Sequence, residues 1–274
     1  MAYHPLAKEA GRIHVCAHRG HSLGAPENTL AALNAAADLG ATVAEMDVVL
    51  TRDREIVLLH DETIDRTTNG HGRAADLDLS ALQRLDAGAW FAPQFAGTPV
   101  PTLREVLATA RSRDIGLLIE IKEREQLDTI IDRLGRLLES EKAIDDVLVI
   151  SFDHPSLVRL RARFPTIRTE IITHARDADP VAMARRAGAA SVSIEWDMFS
   201  AEDAGALHAA GIAVRVTLPR PERLALRRSY GYDDEARVAA QLAAGHIDVV
   251  AGDDTAYLRR LVDAAAPDVI GGRA

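Results

Sequence analysis

What most restricts this chain is a rhythm: short β-branched runs alternate with longer Ala/Leu-rich segments from Ile13 almost to the end. Strand-like runs fall at 13–17, 42–50, 115–121, 147–152, 167–172, 190–195, 212–218 and 247–252. Segments with helical periodicity lie between them, at 29–40, 102–113, 126–142, 154–163, 178–187, 200–210, 233–244 and 254–265. Such alternation is the signature of βα units and a parallel sheet. Eight units are the number that closes a barrel. The chain is therefore expected to be α/β, a (β/α)8 TIM barrel rather than an open doubly wound sheet. Its 274 residues fit one such domain, spanning 1–274. Turn chemistry agrees: Gly188, Gly211 and Gly245 each follow an Ala-rich helical segment and precede a strand, where a left-handed residue ends a helix well. The first helical segment has Asn28 as candidate N-cap and Gly40 as terminator.

One stretch breaks the rhythm. Residues 54–106 are far too long for an ordinary βα loop and rich in Gly, Asp, Thr and Pro. We expect an inserted cap segment between strands two and three, at about 61–102, with EIVLLH (55–60) as an extra hairpin strand. Trp90, Phe91 and Phe95 in the insert either wall a pocket or form the insert's own small core; the sequence favours neither.

Composition excludes several classes. With 47% hydrophobic and 27% charged residues the chain is neither disordered nor collagen-like. A net charge of −9 gives no reason to bind nucleic acid or to associate stably with an anionic membrane. Cys16, the one cysteine, rules out an intrachain disulfide and a thiolate zinc cluster. The N-terminus carries no apolar signal region, and no run of 18 apolar residues follows. The expectation is a soluble, cytoplasmic protein.

Barrel enzymes carry catalytic groups at the C-terminal ends of strands. Here those ends read A-H-R-G (17–20), E-M-D (45–47), L-L-H-D (58–61) and E-I-K (120–122). Side-chain alternation lets Glu45 and Asp47 face one way together, and Glu120 with Lys122 likewise. A single strand-terminal carboxylate is commonly just solvated. Three in apolar strands, converging on one mouth, repel one another unless a cation compensates, and an all-oxygen set points to Mg²⁺ or Ca²⁺ before zinc. His18 and His60, on separate strand ends, suit an acid/base pair. Arg19 offers a guanidinium fork to a phosphate, and Lys122 a second cation. His21 and His71 flank the region; the remaining histidines read as structural or solvated.

The motifs A-H-R-G-H-S-L-G-A-P-E-N-T-L-A-A-L (17–33), G-A-T-V-A-E-M-D-V-V-L-T-R-D (40–53), V-L-L-H-D-E-T-I-D-R-T-T-N-G-H-G (57–72) and L-I-E-I-K (118–122) resemble the glycerophosphodiester phosphodiesterase family. The resemblance runs over about residues 14–264 and is dense in the first half. It implies a TIM barrel hydrolysing glycerophosphodiesters to glycerol 3-phosphate and an alcohol. By that resemblance His18 and His60 are general acid and base, Glu45, Asp47 and Glu120 hold one divalent cation, and Arg19 and Lys122 bind the phosphate. Asn28 and Asp61 would support them, Asp61 by orienting His60. The second half departs from the family: V-T-L-P (216–219) stands where W-T-V-N is usual, and A-G-D-D (251–254) keeps Asp253 but lacks the usual threonine. Trp196 and Arg215 are candidates to rebuild the wall that holds the leaving group, unless Arg215 faces the helices and pairs with an acid. The implied partner is a small phosphodiester; a homo-oligomer is compatible with the chain. Two other readings remain, a lipid-directed phosphodiesterase of phospholipase type and a non-catalytic phosphate-binding barrel.

Overall fold

In the computed structural model, which describes residues 3–265, eight parallel strands close on themselves. They are β1 (His14–His18), β2 (Val43–Leu50), β4 (Gly116–Ile121), β5 (Val147–Ser151), β6 (Thr169–Thr173), β7 (Ser191–Glu195), β8 (Ala213–Thr217) and β9 (Val249–Gly252). Neighbours pair in chain order, and β1 closes the ring by pairing with both β2 and β9. The ninth strand, β3 (Ile56–Leu58), lies antiparallel on the end of β2 as the expected hairpin. The two ends of the expected 1–274 domain, residues 1–2 and 266–274, lie outside the described residues.

Helices α2 (Leu30–Asp38), α4 (Leu103–Ser112), α5 (Leu127–Ser140), α6 (His154–Arg163), α7 (Pro180–Ala187), α8 (Ala201–Ala209), α10 (Asp234–Ala243) and α11 (Thr255–Ala265) match the expected segments. Three others lie outside those segments: the short α1 (Ala7–Ala10) and α3 (Leu79–Leu82), and α9 (Pro221–Ser229). The cap of α2 corrects the sequence reading. Thr29 accepts the Ala32 amide, while Asn28 has φ 57° and turns its side chain into the barrel. At the αβ turns Gly188, Gly211 and Gly245 have φ of 63°, 75° and 72°, the left-handed values that end their helices.

Strand periodicity sorts side chains into two populations. Val15, Ala44, Met46, Ile119, Val149, Val214 and Val216 pack outward against the helices in the main core. The alternate positions fill the barrel, where Cys16, Val43, Leu118, Leu148, Ile150 and Val249 form a separate apolar cluster. Tyr3 closes that cluster at the N-terminal end. It is 4% exposed, donates its amide to Asp145 O at 2.9 Å and meets the His14 ring edge-on at 4.9 Å.

Between β3 and α4 the chain makes two 3-10 turns, at Ala74–Asp76 and Pro93–Phe95, around α3. Ile64, Leu82, Ala87 and Val100 form a small core there against Val49 and Val57. The rings of Trp90, Phe91 and Phe95 contact one another edge-on outside it, with Trp90 40% exposed.

Candidate active site

The inward parity of each strand delivers a polar residue to the C-terminal mouth. On β2 the alternation that buries Val43 presents Glu45 and Asp47; on β4, Leu118 is followed by Glu120. These three carboxylates are buried, and each offers an oxygen within 4.8 Å of the others. Glu45 Oε1 has no hydrogen-bond partner, and Asp47 Oδ1 has no directed one, only the Lys122 ammonium at 3.3 Å. Burial, and then Asp47, push the Glu45 carboxyl up to about 8. Burial and Asp47 also raise Glu120, against the pull of Lys122 at 2.5 Å. A cluster holding proton affinity this high, with bare buried oxygens, is the donor set a hard divalent cation completes.

Cations and amides surround it. Arg19 Nε lies 3.4 Å from Asp47, and the Arg19 amide donates to Glu45 Oε2 at 3.0 Å. That amide is aimed by a left-handed backbone, φ 58°, an arrangement costing roughly 1–2 kcal/mol in a residue with a Cβ. Gly20 beside it admits no side chain: a Cβ there would lie 2.7 Å from Ala32 backbone. Asn28 clasps Asp47 twice, its Nδ2 donating to Oδ2 at 2.8 Å and its Oδ1 accepting the Asp47 amide at 3.0 Å.

Both expected histidines sit at this mouth with Nδ1 held by a carboxylate. His18 bonds Asp253 Oδ1 at 2.7 Å, and its Nε2 is 3.9 Å from Glu45. Burial opposes a charge on His18, but the Asp253 bond and Glu45 outweigh it and hold the imidazole above its usual value. His60 bonds Asp61 Oδ1 at 2.7 Å, and the preceding Leu59 amide donates to Asp47 O, fixing this turn beside β2. In both rings a carboxylate partner makes Nδ1 the N–H and leaves Nε2 for proton transfer.

Trp196 and Arg215 are not brought to this cluster. Arg215 points into the barrel, not toward the helices, but it does pair with an acid. Its Nε donates to Glu170 Oε1 at 2.8 Å with Nη2 in ion-pair contact with the same oxygen at 2.7 Å, and Ser191 Oγ donates to Oε2 at 2.7 Å, all sealed from water. Trp196 is 5% exposed, donates Nε1 to Asp234, and stacks on Phe199. His21 Nδ1 accepts the Thr255 amide, and His71 is an exposed partner of Asp65.

Sequence reasoning gives no role to several residues at the mouth. Asp253 anchors His18; burial would raise its carboxyl, but His18 and Arg220 draw it well below the usual range. Phe152, His174 and Glu195 continue the inward parity of β5, β6 and β7; Phe152 stacks on His174 at 4.5 Å, and His174 bonds Glu195 at 2.7 Å. The same two-residue step that selects Glu45 and Asp47 is the signal that finds this trio.

Residues 18–254 match the Glycerophosphoryl diester phosphodiesterase family. The chain is 44% identical over 161 residues to YhdW of Bacillus subtilis, covering 59% of this chain and 66%, just under two thirds, of that one. It is 39% identical over 179 residues to a glycerophosphodiester phosphodiesterase of Caldanaerobacter subterraneus subsp. tengcongensis, covering 65% and 74%. A phosphodiesterase of Oleispira antarctica, solved in complex with its product sn-glycerol-3-phosphate, superposes with a TM-score of 0.80 at 28% identity, over 93% of this chain and 98% of that one.

Proposed function

The chain belongs to the glycerophosphoryl diester phosphodiesterase family, and from that premise we propose that it hydrolyses small glycerophosphodiesters to sn-glycerol 3-phosphate and an alcohol by His18/His60 acid-base chemistry beside a divalent cation. One observation carries the reading: two histidines with carboxylate-held Nδ1 share a mouth with three buried carboxylates, of which Glu45 and Asp47 retain bare oxygens. Glu45, Asp47 and Glu120 would hold Mg²⁺ or Ca²⁺, which when bound polarises a phosphoryl oxygen and offsets charge developing in the transition state. Arg19 and Lys122 flank the same carboxylates and would take the remaining phosphoryl charge. Nε2 of one histidine accepts the proton of the attacking hydroxyl and Nε2 of the other donates to the departing alkoxide; water as nucleophile gives glycerol 3-phosphate directly, whereas attack by the neighbouring hydroxyl of glycerol gives a cyclic phosphate that water then opens. Asp61 and Asp253 keep each ring in the tautomer this exchange requires.

The test is release of glycerol 3-phosphate from a panel of glycerophosphodiesters, with lysophospholipids alongside. Activity should vanish with chelator and return with Mg²⁺ or Ca²⁺, and His18→Ala and His60→Ala should each lower kcat by ~10²-fold or more. Chelator-resistant turnover, or near-normal kcat in either variant, refutes the assignment; preference for the lysolipids would move it to the lipid-directed class.

A further inference from the structure

Arg66, in the long segment after β3, reaches the site. Arg66 donates Nε to Asp61 Oδ2 at 2.7 Å and Nη2 to Asp61 Oδ1 at 3.1 Å. On its other edge Nη1 and Nη2 donate to the two oxygens of Glu27, both at 2.8 Å. Asp61 Oδ1 is the oxygen that holds His60, and Glu27 Oε1 is the oxygen that accepts Arg19 Nη1 at 2.9 Å. His60 and Arg19 are thus the two ends of one hydrogen-bonded chain whose middle is a single planar guanidinium. Taking as given the reading that His60 and Arg19 act in the reaction, we propose that Arg66 is a positioning residue that fixes the proton-transferring imidazole and the phosphate-binding guanidinium relative to each other.

Chemistry favours this over incidental surface pairing. An exposed ion pair adds little to stability, and the Arg66 side chain is 44% exposed. Its two partners are not free surface acids, however; each already holds a side chain of the site. Arg66 occupies both oxygens of both carboxylates, so neither group can rotate without breaking a bond. A carboxylate that cannot rotate fixes the ring or fork bonded to it. Lysine has no fork with which to grip two carboxylates at once. Without Arg66, Glu27 and Asp61 lose the cation between them and drift apart, taking Arg19 and His60 with them. Displacements of ~1 Å at a reacting group cost as much as ~100-fold in rate.

Steady-state kinetics on the best substrate of the panel, at saturating divalent cation, test the proposal. Arg66→Ala should lower kcat/KM by ~10–100-fold, shared between a lower kcat and a higher KM. Asp61→Asn should act chiefly on kcat and Glu27→Gln chiefly on KM, and these two variants decide the matter should Arg66→Ala fail to fold. Arg66→Lys should recover little, whereas guanidinium ion added at millimolar concentration should restore part of the Arg66→Ala rate, which a purely structural role would not allow. Arg66→Ala within about twofold of wild type in both constants overturns the proposal, as does a loss that tracks a lowered thermal midpoint and is not rescued by guanidinium. His60→Ala run in parallel separates the failures. If it remains active, the reading of the site falls and the clamp with it; if it is inactive while Arg66→Ala is normal, only the clamp falls.

Discussion

Arg215→Met distinguishes a guanidinium that meets substrate from one that completes the barrel interior. In the structure Glu170 is fully buried, and Arg215 supplies the hydrogen bond and the ion-pair contact to its Oε1, leaving only the Ser191 hydroxyl on Oε2. Removing the cation strands a carboxylate in an apolar barrel, and breaking such a buried pair on one side costs about 3–5 kcal/mol. In a chain of this length each kcal/mol is worth roughly 2–4 °C, so the thermal midpoint should fall by about 6–20 °C. Replacing both partners, as in Glu170→Leu with Arg215→Met, removes the stranded charge and should recover most of that loss. Thermal unfolding followed by circular dichroism measures the midpoints; KM at saturating divalent cation should stay within about twofold in every variant that remains folded. An unmoved midpoint together with a tenfold rise in KM would refute the placement and restore Arg215 to the substrate wall.

Two more outcomes follow from titrating groups. His14 is buried with its Nε2 on the His4 carbonyl and Nδ1 on the Thr42 hydroxyl, and burial, then Arg12, push its pKa down to about 4. Below pH ~6.5 the unfolded chain binds a proton that the folded one refuses, so stability is whole above 6.5 and falls as pH drops toward 4, by about 3 kcal/mol in total; urea melts at stepped pH should show this slope, and His14→Gln should flatten it. At the carboxylate cluster, burial and Asp47 raise the Glu45 carboxyl, which must give up any proton it holds to bind a cation, so calorimetry in buffers of different ionisation heat should find protons released on divalent-ion binding near pH 7, a value near zero showing that Glu45 is already ionised there.

The barrel is legible in the sequence because its signals are local. Strands and helices announce themselves over a few residues, and parity within β2 and β4 is enough to put Glu45 with Asp47 on one side and to send Glu120 the same way. What escapes depends on depth or on distant partners. Parity cannot tell how far down a strand an inward side chain lies, which is why the sequence points Arg215, two residues before the mouth end of β8, to the substrate wall. Asp253 meets His18 across 235 positions, and Glu27 meets Arg66 across 39, separations at which sequence pattern carries no pairing information. Helix α9 escapes because it buries no residue; its charged sequence shows no apolar face to detect. Asn28 misleads for a subtler reason: asparagine suits a helix cap, but it also tolerates the left-handed backbone that turns its amide onto Asp47.

The floor that Tyr3 lays across the barrel makes the dielectric around the site one-sided. At the open end, water and ions surround the mouth; at the closed end, a ring and the strand side chains insulate the Arg215–Glu170 charges from any solvent beneath. Added salt shortens the reach of every charge at the mouth to about 8–10 Å or less and thins the field that the proposed phosphodiester substrate would meet on arrival. Sealed from ions below, the influence of Arg215 on Glu45 and Glu120 is left nearly untouched. Ionic strength therefore acts on capture far more than on the electrostatics that hold the carboxylate cluster together.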